Sequence, residues 1–127
     1  MTAIGRSKYR GTKEFLLVYH QAISAARYCG QITYSQVARI LGISSRGQNM
    51  GRQIGQVLGE ISEDEDRGGR PMLSAVVVGV SGMPGEGFFV MARRLGKFSG
   101  NSPTEQRRFW ETECERVYET WRPNAGA

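Results

Sequence analysis

Residues 30–42, Gly30-Gln31-Ile32-Thr33-Tyr34-Ser35-Gln36-Val37-Ala38-Arg39-Ile40-Leu41-Gly42, decide how this chain folds. Thr33 followed three residues later by Gln36 is a capping box, so a helix starts there. Val37, Ile40 and Leu41 share its inward face, and Gly42 stops it. Ile43 leads to a second such box, Ser45-Arg46-Gly47-Gln48, which opens a third helix running to about Asp66. The inward stripe of that helix is Met50, Ile54, Val57, Leu58 and Ile61. Two short helices around Gly42-Ile43-Ser44 make a helix-turn-helix pattern.

Upstream, Phe15, Leu16, Tyr19, Ala22, Ile23 and Ala26 fall on one face of a first helix from about Thr12 to Tyr28, ended by Gly30. Downstream, Gly68-Gly69-Arg70-Pro71 breaks the chain. The β-branched run Leu73–Val80 reads as a buried strand. Ser81 to Gly85 form a turn, after which Gly87-Phe88-Phe89 either pairs back as a strand or opens a helix through Leu95. Helix, helix-turn-helix, then strand–turn–strand is the order of a winged helix, with residues 81–86 as the wing. Ser102-Pro103-Thr104-Glu105 caps a last helix carrying Trp110, Cys114, Val117 and Trp121. The expected class is α+β, a winged helix-turn-helix with an extra C-terminal amphipathic helix. A basic arm (1–11), one domain (12–122) and a short tail (123–127) account for all 127 residues.

With 39% hydrophobic and 23% charged residues the composition is that of an ordinary globular chain. Charge is unevenly placed. Residues 1–58 carry eight Lys/Arg against one acid, net +7, and residues 59–127 carry nine against eleven, net −2. A basic half on a small chain points to a polyanion, nucleic acid first. One histidine, His20, and two cysteines, Cys29 and Cys114, leave little material for a metal site, a Cys-His pair or a catalytic triad. No catalytic residue, metal or cofactor is expected. The acidic run Glu60, Glu63, Asp64, Glu65, Asp66 reads as a solvated helix end. No apolar run approaches the roughly 18–20 residues of a membrane span, and no secretory leader is visible, so a cytoplasmic protein is expected.

At 100° per residue the outward face of the third helix holds Gln48, Arg52, Gly55, Gln56 and Gly59, flanked by Asn49. Amides pair with adenine edges and Arg with guanine or phosphate. Glycines at 47, 51, 55 and 59 narrow the helix to a ridge that admits a nucleic-acid backbone or a packed helix.

The stretch from Val18 to Phe89 resembles the C-terminal, DNA-binding domain of O6-alkylguanine-DNA alkyltransferases and the alkyltransferase-like proteins. The resemblance is carried by residues 30–42 and by Arg52-Gln53-Ile54-Gly55-Gln56-Val57-Leu58. The family's nucleophilic cysteine falls on Ser74, its histidine on Ala75 and its arginine on Val76, so alkyl transfer is not expected. What the resemblance implies is a scaffold that lays the third helix in the minor groove and extrudes a base with a tyrosine and an arginine. Tyr34 stands at the tyrosine's place, and Arg52 or Asn49 at the arginine's.

The expected function is non-enzymatic binding of double-stranded DNA, with sensing of DNA structure or a modified base. Its candidate residues are Tyr34, Ser35, Ser45, Arg46, Gln48, Asn49, Arg52, Gln53 and Gln56. The alternative is a protein-interaction or regulatory module that packs, or dimerises, through the Trp110/Trp121 helix and the glycine ridge. A third, weaker reading is an enzyme using Ser74 or the acidic run.

Overall fold

Local signals set the helix ends. In the computed structural model, which describes residues 7–44 and 48–123, helix α1 spans Lys13–Arg27 with Thr12 accepting the Phe15 N–H at its start. Its end is a Schellman motif in which the Gly30 N–H reaches Ala25 O and the Cys29 N–H reaches Ala26 O. The left-handed residue there is Cys29, at φ 57°, rather than Gly30, an arrangement that costs a non-glycine residue roughly 1–2 kcal/mol. Helix α2 spans Tyr34–Leu41, with the Thr33/Gln36 capping box formed and Gly42 left-handed at its end. Helix α3 spans Gln48–Arg67. Residues 45–47 of the second expected capping box lie outside the described residues.

The run 73–80 departs from expectation. Leu73–Val76 is a 3-10 turn, and only Val77–Val78 is strand. That strand, β2, pairs in parallel with β1 (Ile32–Thr33), Ile32 opposite Val77 and Thr33 opposite Val78. Leu73 to Val78 are all buried, as in parallel pairs covered on both sides. Residues 86–94 then form helix α4 (Glu86–Arg94), so Phe88 and Phe89 open a helix and do not pair back. Among the described residues there is no hairpin at 81–86, and the wing is not formed as a strand pair. The class is α+β and mostly helical.

The physical reason lies in α5 (Pro103–Trp121), whose Ser102/Glu105 capping box forms as expected. Trp110 Nε1–H donates to Ala75 O at 2.8 Å, and Cys114 S–H reaches the same carbonyl at 3.3 Å. The Met72 N–H donates to Glu113 Oε2 at 2.9 Å. Side chains of α5 thus claim backbone groups that a strand would have spent on a neighbour. Glu113 is itself buried, held by Lys97 at 3.6 Å and Arg116 at 3.7 Å. Burial pushes the Cys114 thiol up to about 12, which makes it a packing group rather than a nucleophile. The Trp110/Cys114/Val117 stripe is spent inside the domain and is not a free dimer face. Around the 3-10 turn pack α1, α3 and α5, and α4 packs against α3. No helix is long and apolar enough to cross a membrane among the described residues.

Candidate nucleic-acid interface

Helix α3 is the spine of the site, and its buried stripe orients it. Ile54, Val57, Leu58 and Ile61 lie in the core as the period predicts, with Met50 half-buried at the end. The opposite face therefore carries Asn49, Gly51, Arg52 and Gly55 into solvent. Arg52 is exposed and takes part in no ion pair among the described residues. On α2, Ser35 is likewise exposed. Ser45 and Arg46 fall outside the described residues, as does the side chain of Gln48.

Beside this face opens a cleft of about 440 Å³ between α3 and the start of α4. Gly51, Arg52, Gly55 and Gln56 line one side, and Gly85, Glu86, Gly87 and Val90 line the other. Leu58, Phe88 and Met91 form buried apolar wall, with Ser62 and Ser74 the buried polar residues of the lining. The glycine periodicity thus has two roles. Gly51 and Gly55 leave the cleft open, since a Cβ at either would have nothing within 4 Å. Gly59 faces inward, where a Cβ would come within 3.1 Å of Met91 Cε, so it serves helix packing and not the outer face.

Tyr34 stands at the first turn of α2, yet it does not point a free hydroxyl at a phosphate. Its oxygen accepts the Gly85 N–H at 2.5 Å, and its ring lies against Gly79. The side chain thereby ties α2 to the loop 79–85 and forms part of the cleft wall. Burial raises its phenol, with the Gly85 bond acting in the opposite sense. The loop itself closes through Gly79 N–H to Met83 O at 2.9 Å and Gly82 N–H to Gly79 O at 3.0 Å.

Two amides chosen for base reading are already occupied. Gln53 accepts from the Tyr9 hydroxyl at 3.0 Å, and Gln56 donates to Glu60 at 2.7 Å. The Gln56–Glu60 pair follows from i,i+4 spacing, whereas the Gln53 contact does not, because Tyr9 comes from a segment read as a separate arm.

The acidic run is not a solvated helix end. Glu60 and Glu65 are buried. The Glu60 carboxylate accepts the backbone N–H groups of Lys8, Tyr9 and Arg10, at 2.7 to 3.2 Å, so residues 8–10 wrap it as a cradle. Arg10 also pairs with Glu63 and Asp64 at 3.2 and 3.1 Å. Glu65 takes the Tyr19 hydroxyl and Arg70. With Glu60, Glu63, Asp64 and Glu65 each partnered and Asp66 exposed, this part of α3 presents less negative field to a polyanion than the sequence suggests.

Burial alone would raise the Glu60 carboxyl. The bonds from Gln56, Lys8, Arg10 and Tyr9 outweigh it and hold the group below its ordinary 4.5. A depressed carboxyl contributes stability above its unfolded value and loses it as pH falls through the folded one. Residues 8–10 are thus expected to stay docked at neutral pH and to release in acid, below the ordinary glutamate range. Amide exchange of Tyr9 and Arg10 across that range measures this. Protection that persists after Glu60 is protonated, or that is unchanged in Glu60→Ala at neutral pH, would refute the latch.

No family model, curated protein or solved structure matches the chain. The site is read from its own geometry. His20 is exposed on α1. The Oγ of Ser74 lies 2.8 Å from that of Ser62, a hydroxyl too weakly basic to activate it. No group of three His, Cys, Asp or Glu side chains is arranged to hold a metal among the described residues.

Proposed function

We propose that this protein is a non-enzymatic DNA-binding protein that docks the exposed faces of α2 and α3 on duplex DNA and admits one base to the cleft beside α3. The observation that carries the reading is the juxtaposition of an exposed Arg52, in no ion pair among the described residues, with the open, apolar-walled cleft beside α3. The basic first half of the chain supplies the field, and backbone N–H groups of residues 8–10 hydrogen-bond the carboxylate of Glu60, the acid nearest this face. The closed loop 79–85 supports the cleft through Tyr34. The resemblance to alkyltransferase DNA-binding domains supports the same docking face, with Ser74 in place of the nucleophile leaving binding without transfer. Packing through the Trp110 helix is the weaker reading, because that stripe is buried in the domain.

Duplex binding titrated with salt tests the proposal. Each phosphate neutralised contributes about −0.9 to the slope of log K against log salt. A slope of about −3 or steeper is expected, corresponding to roughly three or more phosphates. A flat response, or no retention on duplex DNA at about 50 mM salt, would move the assignment to a protein-binding module.

A further inference from the structure

The polar floor of the cleft holds one hydrogen more than it can use. Ser62 and Ser74 are 1% and 4% exposed, and their Oγ atoms sit 2.8 Å apart. Two hydroxyls carry two hydrogens, and the bond between them spends one. The other has no protein acceptor among the described residues. A buried hydroxyl pair serving the fold alone is replaceable by two alanines at little cost. Here it lies under an open space bounded by the bare backbones of Gly51, Gly55 and Gly87, where a Cβ would meet nothing within 4 Å.

The walls narrow what fits. Leu58, Phe88 and Met91 offer aliphatic and aromatic surface, which suits the faces of a flat ring. The mouth carries Arg52 and the start of α4, where Gly85 provides no side-chain cap for the first-turn N–H groups. Glu86 at the same mouth is paired with Arg93 at 3.6 Å. An acceptor-bearing ring edge at the floor and an anionic group at the mouth together describe a nucleotide.

We propose that the cleft takes a nucleotide base edge-first and that the Ser62–Ser74 pair determines its specificity. The surplus O–H donates to a carbonyl oxygen on the inner edge. An amino group there leaves that hydrogen buried without an acceptor, so keto rings are favoured over amino rings. The inference rests on the DNA-binding reading for its source of bases, but the same chemistry accepts a free nucleotide.

At purine position 6 hypoxanthine carries a keto oxygen beside N1–H and adenine an amino group beside a bare N1, which makes them the probes for the keto contact. Two arms separate the sources: inosine and adenosine monophosphates followed by titration, and duplexes carrying a central mispaired hypoxanthine or adenine. Wild type is expected to prefer the keto probe roughly tenfold in at least one arm, the low end for a base-edge contact. The Ser62→Ala, Ser74→Ala double variant is expected to bring that preference within about twofold while keeping its melting temperature, because no hydroxyl is left unpaired. If the double variant does not melt cooperatively, Ser74→Thr, which crowds the floor with a methyl, is expected to abolish the preference in its stead. No preference in wild type, as for a floor satisfied by water alone, overturns the inference even if duplex DNA binds. So does a preference that survives in a folded double variant. Keto preference among free nucleotides with no duplex binding upholds the cleft and overturns the DNA reading.

Discussion

Trp110→Ala is expected to destabilise the domain by about 3–5 kcal/mol, the range for removing a buried large aromatic side chain. Trp110 is 8% exposed, and its N–H is one of two donors from α5 that hold Ala75 O. For a chain of this size each kcal/mol shifts the melting temperature by roughly 3–5 °C, so a drop of about 10–20 °C should appear by calorimetry. Trp110→Phe keeps the aromatic packing of one ring and loses the N–H and the rest of the indole. It is expected to cost about 1–3 kcal/mol, less than the alanine change, because one ring still packs and Cys114 still serves the carbonyl. The loss should also reach the cleft, since Ser74 precedes Ala75 in the same 3-10 turn. A shift below about 3 °C for the alanine variant would mean that α5 does not hold this turn in place.

The second large effect is on binding. Arg52→Ala is expected to weaken duplex affinity roughly 10- to 100-fold, equivalent to about 1–3 kcal/mol for an Arg base-edge contact. Its stability should stay within about 0.5 kcal/mol of wild type, because the side chain is exposed and carries no ion pair among the described residues. Arg107→Ala, which removes an exposed cation paired with Glu111 on α5, serves as the control for net charge. Equal losses for the two variants would reduce the interface to a diffuse charge effect. Tyr34 enters through the cleft rather than through a phosphate. Tyr34→Phe frees the Gly85 N–H and is expected to disturb the loop 79–85 and the fit of a base more than the salt dependence.

The ends of α2, the start of α5 and the buried stripe of α3 were legible in the sequence. Each depends on groups within about four residues: the Thr33/Gln36 and Ser102/Glu105 boxes, and the spacing Ile54, Val57, Ile61. The basic first half and Arg52 on the outward face were legible for the same reason. Three features were not, because each depends on partners far along the chain. Leu73–Val80 is apolar enough for a strand, and it becomes a 3-10 turn and a two-residue parallel pair because Trp110, Glu113 and Cys114 bind its backbone and Ile32 is its neighbour. Glu60 reads as solvated until Lys8, Tyr9 and Arg10 close on it from some fifty residues away. Gly51, Gly55 and Gly59 read as one ridge, and only the approach of α4 divides them into a helix contact at Gly59 and the open side of a cleft at the other two. Hydrogen bonds within a turn are written into neighbouring residues, whereas burial and cavity shape exist only once distant surfaces meet.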